Sequence, residues 1–134
     1  MIYTSYFANL KNVINPIAIC GGSPDWYTGK QYKKLAPRWL FFKDYKDGKI
    51  TSDEYVVLYN ELVLSKLDPQ IVLNELIALN DNNDTFTMIC YEKPTDFCHR
   101  HIVADWLSSN LGITICETSK IKEIDDRFLY LDLL

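Results

Sequence analysis

No apolar run in this sequence approaches the roughly 18 residues that a membrane-spanning helix needs, which argues against helical membrane spans. The opening stretch MIYTSYFANL has neither a charged leader nor a long apolar core, so no secretory signal is expected there. Basic residues are scarce: 14 Lys and Arg against 18 Asp and Glu give a net charge of −4. No global field therefore draws the chain to nucleic acid or to an anionic membrane, although a local basic patch is compatible with that total. The four cysteines form no C-x-x-C pair. That usage suits a reducing cytosol better than a disulfide framework, and a cytoplasmic location is expected. Internal repeats, low-complexity tracts and a complete nucleotide-binding fingerprint are all missing.

What is present is the balance of a soluble globular protein: 134 residues, 48% hydrophobic and 24% charged, enough for one domain (1–134) with a real core. Ile2–Tyr6 reads as a first strand and Ile17–Cys20 as a second, stopped by the Gly-Gly-Ser-Pro turn. KQYKKLAP predicts one or two helical turns, RWLFF a buried strand, and Lys43–Lys49 a polar loop. Thr51 and Glu54 have capping-box spacing ahead of a helix over Ser52–Leu67, and Asp68-Pro69 starts another. After a loop over Asn80–Asp84, TFTMICY is apolar on both faces and predicts a central strand. A helix over Phe97–Asn110, stopped by Gly112, and a strand ITIC follow, while the tail from Lys120 fits helix or strand. Alternating strands and helices predict an α/β class: a mostly parallel central sheet with helices on both faces, a Rossmann-like three-layer order.

The chemistry concentrates in MICYEKPTDFCHRHIVADWL, Met88–Leu107. A parallel strand ending near Tyr91 puts the following loop at the sheet's carboxyl edge, where open α/β sheets bind ligands. Asp96 is the expected N-cap, so Cys98, His99 and Arg100 would lie at a helix N-terminus, which favours an anion and lowers a thiol's pKa. With His99 as zero on a helical wheel, Val103 falls at about +40°, Trp106 at about −20° and Ile102 at about −60°. His99 thus centres the apolar face, Arg100 flanks it and His101 points to solvent. Two cations at a helix N-terminus call for a negative partner, either Glu92 or a bound phosphate or carboxylate.

Each residue also has an ordinary structural explanation. Cys98 would be a small buried hydrophobe, Cys90 strand packing, His99 a core histidine satisfied by a carbonyl or carboxylate, and Glu92–Arg100 a clasp. Cys90 and Cys98 are poorly spaced for a closed zinc site, and His99 directly after Cys98 is ill placed to chelate with it on one helical turn. Metal is therefore not expected, and no cofactor motif is present. The arginine of a thiolate-based phosphatase loop does not follow Cys90 at the required spacing.

Cys90, Glu92, Cys98, His99 and Arg100, read as C-x-E-x5-C-H-R, resemble the signature of the domain of unknown function 488 family. YTSYF, GGSPDW followed by KLAP, DEYVVLYNELVLSKLDP and VADWL agree in order, so the resemblance covers about residues 2–117 and leaves 118–134 unmatched. It implies a small cytosolic α/β protein whose signature residues form a site; it supplies no substrate.

The leading expectation is an enzyme, a hydrolase or transferase, or a ligand binder. Glu92, Cys98, His99 and Arg100 would be its catalytic residues, Arg100 holding an anion and Glu92 with His99 exchanging protons. Thr4, Ser5, Tyr6 and Cys90 would line the neighbouring edge, and Trp26 and Tyr27 would stack on a planar group. The expected ligand is a small anion, nucleotide-like or part of a single-stranded nucleic acid. The alternative is a non-catalytic interaction module in which Glu92, His99 and Arg100 form a structural clasp. A redox role for Cys90 with Cys98 is a third reading.

Overall fold

The computed structural model describes residues 1–93 and 96–118. Five short strands and four α-helices, with three 3-10 turns between them, make up the described residues. β1 (Ile2–Tyr6), β2 (Pro16–Ala18) and β3 (Lys30–Gln31) come first, followed by three helices, α1 (Trp39–Lys46), α2 (Ser52–Leu62) and α3 (Pro69–Leu79). β4 (Phe86–Cys90), α4 (His99–Leu111) and β5 (Ile115–Glu117) complete the described chain. The strands form one sheet in the order β3-β2-β4-β1-β5, and every pairing is parallel. β4 is buried along its whole length at the centre, as its two-sided apolar sequence predicts.

Register sets the two faces. Ile17 stands beside Met88 and, with Ile2 and Phe86, packs under side chains from all four α-helices. Ala18 stands beside Ile89 on the opposite face, where Phe7, from the helical turn Phe7–Asn12, and Tyr27 cover them. The α/β class, the parallel sheet and the helical layers are therefore as the sequence predicts.

The departures are local. RWLFF is not a strand: its last four residues open α1, whose buried side is Phe41 with Phe42 and Tyr45 packed beside it, a helical rather than an alternating pattern. Trp39 and Leu40 are exposed. The expected loop shortens accordingly, since Lys43–Lys46 belong to α1 and Gly48 makes the turn at φ 75°. α2 stops at Leu62, five residues early, because the chain passes through a tighter turn at Leu64–Lys66 before Asp68 caps α3. α4 begins at His99 with Cys98 as N-cap, not at Phe97 with Asp96 as cap. β5 runs to Glu117, one residue past the expected strand. The tail's open choice between helix and strand lies outside the described residues. No helix among the described residues is long and apolar enough to cross a membrane.

Candidate functional site

β2 and β4 end side by side at the carboxyl edge of the sheet, and α4 starts there. Cys98 is in extended backbone at φ −151°, ψ 144°, so its side chain and that of helical His99 converge rather than following one helical turn. The Sγ atoms of Cys90 and Cys98 are in bonding contact. His99 Nδ1 lies 3.8 Å from Cys98 Sγ, while His99 Nε2 donates to the Ile19 carbonyl at 2.8 Å. That bond fixes the tautomer and leaves the Nδ1 lone pair facing the sulfurs. Burial lowers the His99 pKa to about 4, chiefly because a charged ring would lose its water, so the imidazole is neutral at pH 7.

Arg100 is the largest fully buried side chain among the described residues. Nε and Nη2 donate to the two oxygens of Glu117 at 3.2 and 2.8 Å, and Nη1 donates to the Glu92 carbonyl at 2.7 Å and to Cys90 Sγ at 3.2 Å. Its negative partner is thus Glu117 from β5, not the Glu92 carboxylate, which accepts from Lys46 at 2.6 Å. The wheel's flanking place for Arg100 is overridden because the sheet edge carries a carboxylate there. Thr4 also serves this pair, donating to Glu117 at 2.6 Å. Ser5 is buried and accepts from Asn9, and the Tyr6 ring lies 6.0 Å from the Arg100 guanidinium. His101 is half-buried rather than in solvent, burial lowers its pKa, and its Nε2 has no partner among the described residues.

Beside the sulfur–imidazole cluster lies a cavity of about 400 Å³, lined by Cys20, the Gly21-Gly22 turn, Pro37, Trp39, Phe42, Cys90, Tyr91, Glu92 and His99. The aromatic residues at its wall are Trp39, Phe42 and Tyr91; the expected Trp26 and Tyr27 are elsewhere. Tyr27 is buried with its hydroxyl donating to the Lys30 carbonyl at 2.6 Å, and Trp26 packs edge-on against Phe7. Cys20, whose thiol burial pushes up to about 11, is a protonated wall residue donating to the Gly22 carbonyl.

Sequence reasoning missed Glu117, Cys20, Trp39, Phe42 and Lys46. Glu117 had a usable signal, since an acidic residue ending a short apolar segment lies at the same carboxyl edge once that segment is a parallel strand. The others come from α1 and the end of β2, and no local spacing ties them to Cys90.

None of the curated proteins and none of the solved structures compared matches the chain. The family described as the active DUF488-N3 subclade, DUF488-N3a, matches residues 16–111, which include β2, β4, α4 and the whole C-x-E-x5-C-H-R segment. The chain therefore belongs to the DUF488 family, in its DUF488-N3a subclade.

Proposed function

We propose that the protein is a small-molecule enzyme, a hydrolase or transferase, whose ligand enters the cavity at the ends of β2 and β4 and reacts at Cys90, Cys98 and His99. One observation carries this reading: a neutral imidazole turns a free Nδ1 lone pair toward two buried sulfurs at the wall of a cavity of about 400 Å³. That volume falls in the range of small-ligand pockets, roughly 300–1,000 Å³. Trp39 and Phe42 have ring centroids 6.1 Å apart and line the cavity with Tyr91, which suits a planar group such as a nucleobase. The N-terminus of α4 has no side-chain cap, and it suits an anionic group such as a phosphate.

Within this reading the signature residues divide their work. His99 accepts a proton or shares its lone pair with the reacting centre. Arg100, its charge answered by Glu117, is a positioning residue that holds Cys90 and the Glu92 carbonyl. Glu92 lines the cavity as a carboxylate oriented by Lys46 and is available to exchange protons with the ligand. Location in the cytoplasm accords with the two free thiols, Cys20 and Cys116.

Calorimetric titration with nucleosides, nucleotides, inorganic phosphate and short oligonucleotides tests the proposal. Binding of one class is expected, with Trp39→Ala weakening it at least tenfold while the melting temperature stays unchanged. A panel with no binding, or binding indifferent to Trp39→Ala and His99→Gln, overturns it. The interaction-module reading has its own support in the complete burial of Arg100, which marks the Arg100–Glu117 pair as a clasp. It would be preferred if that panel were flat and Arg100→Ala melted far below the parent.

A further inference from the structure

We propose that Cys90, Cys98 and His99 together hold one divalent ion of the zinc class, with a fourth coordination position open to the cavity. This rests on the preceding reading only for what the ion would act on; ion binding itself stands on the geometry of the three donors.

Those donors, two sulfurs and one imidazole nitrogen, all lie within 4.8 Å of one another, and all three residues are buried. A tetrahedral zinc with Zn–S of about 2.3 Å and Zn–N of about 2.0–2.1 Å sets its sulfur and nitrogen ligands about 3.6 Å apart. Cys98 Sγ and His99 Nδ1 are 3.8 Å apart. The Cα atoms of Cys90 and Cys98 are 7.7 Å apart, beyond the roughly 4.4–6.8 Å usual for a disulfide. A shared ion bridges that span more readily than a direct bond. Cys98 Sγ and His99 Nδ1 therefore already stand at the spacing that a metal site requires, and the extended backbone of Cys98 is what brings these adjacent ligands onto one point. The two Sγ atoms, in bonding contact here, would part as thiolates under a reductant to take up the ion between them.

The surroundings favour the same use. Metal-bound histidines usually donate their other ring N–H to a carbonyl or carboxylate, and His99 Nε2 donates to the Ile19 carbonyl. Arg100 Nη1 donates to Cys90 Sγ, which steadies a thiolate there. Two thiolates, a neutral imidazole and a divalent ion sum to zero charge, so burying the assembly leaves no net charge uncompensated. Structural zinc sites close with four protein ligands, whereas three ligands leave room for water or substrate. Cys90 and His99 line the cavity, and so does Glu92, placed to take a proton from a water bound at the open position.

The test uses the full chain, stripped with a chelator under a non-thiol reductant and reloaded with Zn²⁺ or Co²⁺. Expected are one ion per chain by elemental mass spectrometry and, with cobalt, a thiolate-to-metal charge-transfer band with intense tetrahedral d–d bands. The ion should protect Cys90 and Cys98, but not Cys116, from alkylation, a reading on the parent protein that does not depend on any variant folding. Cys90→Ser, Cys98→Ser and His99→Gln should each weaken binding at least tenfold, whereas Cys116→Ser should not. Azide should shift the d–d bands through the open position. Substoichiometric ion, alkylation of Cys90 and Cys98 unaffected by the ion, or a Cys90–Cys98 disulfide that persists under reductant would overturn the proposal. Bands indifferent to azide would overturn the open position. Nucleotide binding that persists without the ion would leave the function standing and the ion's part in it removed; ion binding without any nucleotide binding would do the reverse.

Discussion

Arg100 is accommodated with no exposure because its guanidinium donates four hydrogen bonds, two of them to one carboxylate. Breaking such a pair strands the remaining charge, at about 3–5 kcal/mol, whereas replacing both partners with apolar residues is often nearly neutral. Glu117→Ala and Arg100→Met should each destabilise by that amount in urea titrations. The double variant Arg100→Met/Glu117→Leu should recover most of the loss. His99 makes a second prediction at this scale. Its folded pKa of about 4 lies below the ordinary histidine value of about 6.5, so the unfolded chain binds the extra proton first. The stability it supports is complete above about pH 6.5 and is lost as pH falls toward 4, by roughly 3 kcal/mol. Melting curves of the chelated protein should show this decline, and His99→Gln should flatten it. The burial of His99 was legible from the helical wheel; for Glu117 only its place at the carboxyl edge was, and its pairing with Arg100 was not, because that depends on which strand β5 joins.

Elements were legible where their determinants are local. Both bonds of the Thr51–Glu54 capping box are formed, at 3.0 and 3.1 Å, and Asp68 caps α3 as its Asp-Pro start predicts. Thr51→Ala should therefore cost about 1 kcal/mol, measured by thermal unfolding. α1 was misread because four consecutive apolar and aromatic residues, Trp39–Phe42, suit a buried strand as well as a helix. The helix leaves Leu40 78% exposed, so Leu40→Gln should change stability by less than about 0.5 kcal/mol, where a central strand would be severely disrupted. A large loss on that substitution would contradict the placement of α1. The shift of the α4 cap from Asp96 to Cys98 had no local signal, since both residues precede helix-compatible sequence; the Ile19 carbonyl, just past the end of β2, captures His99 and sets where the helix begins.

For the whole molecule, class and edge were readable: alternation gave the parallel sheet, and parallel strands put the signature at their carboxyl ends. Strand order was not, because it depends on which apolar edges meet after the chain has folded. That order carries a kinetic consequence. β1 is the first strand in the sequence, yet it lies between β4 and β5, with Ile2 opposite both Phe86 and Ile115. Such distant pairings close large loops before they return any stabilisation, which slows folding. Pulse-labelling hydrogen exchange should find amides of α2 and α3 protected before those of β1. The guanidinium of Arg100 and the carboxylate of Glu117 would meet only when this last pairing forms, so assembly of the sheet's far edge and maturation of the reactive centre become a single late event.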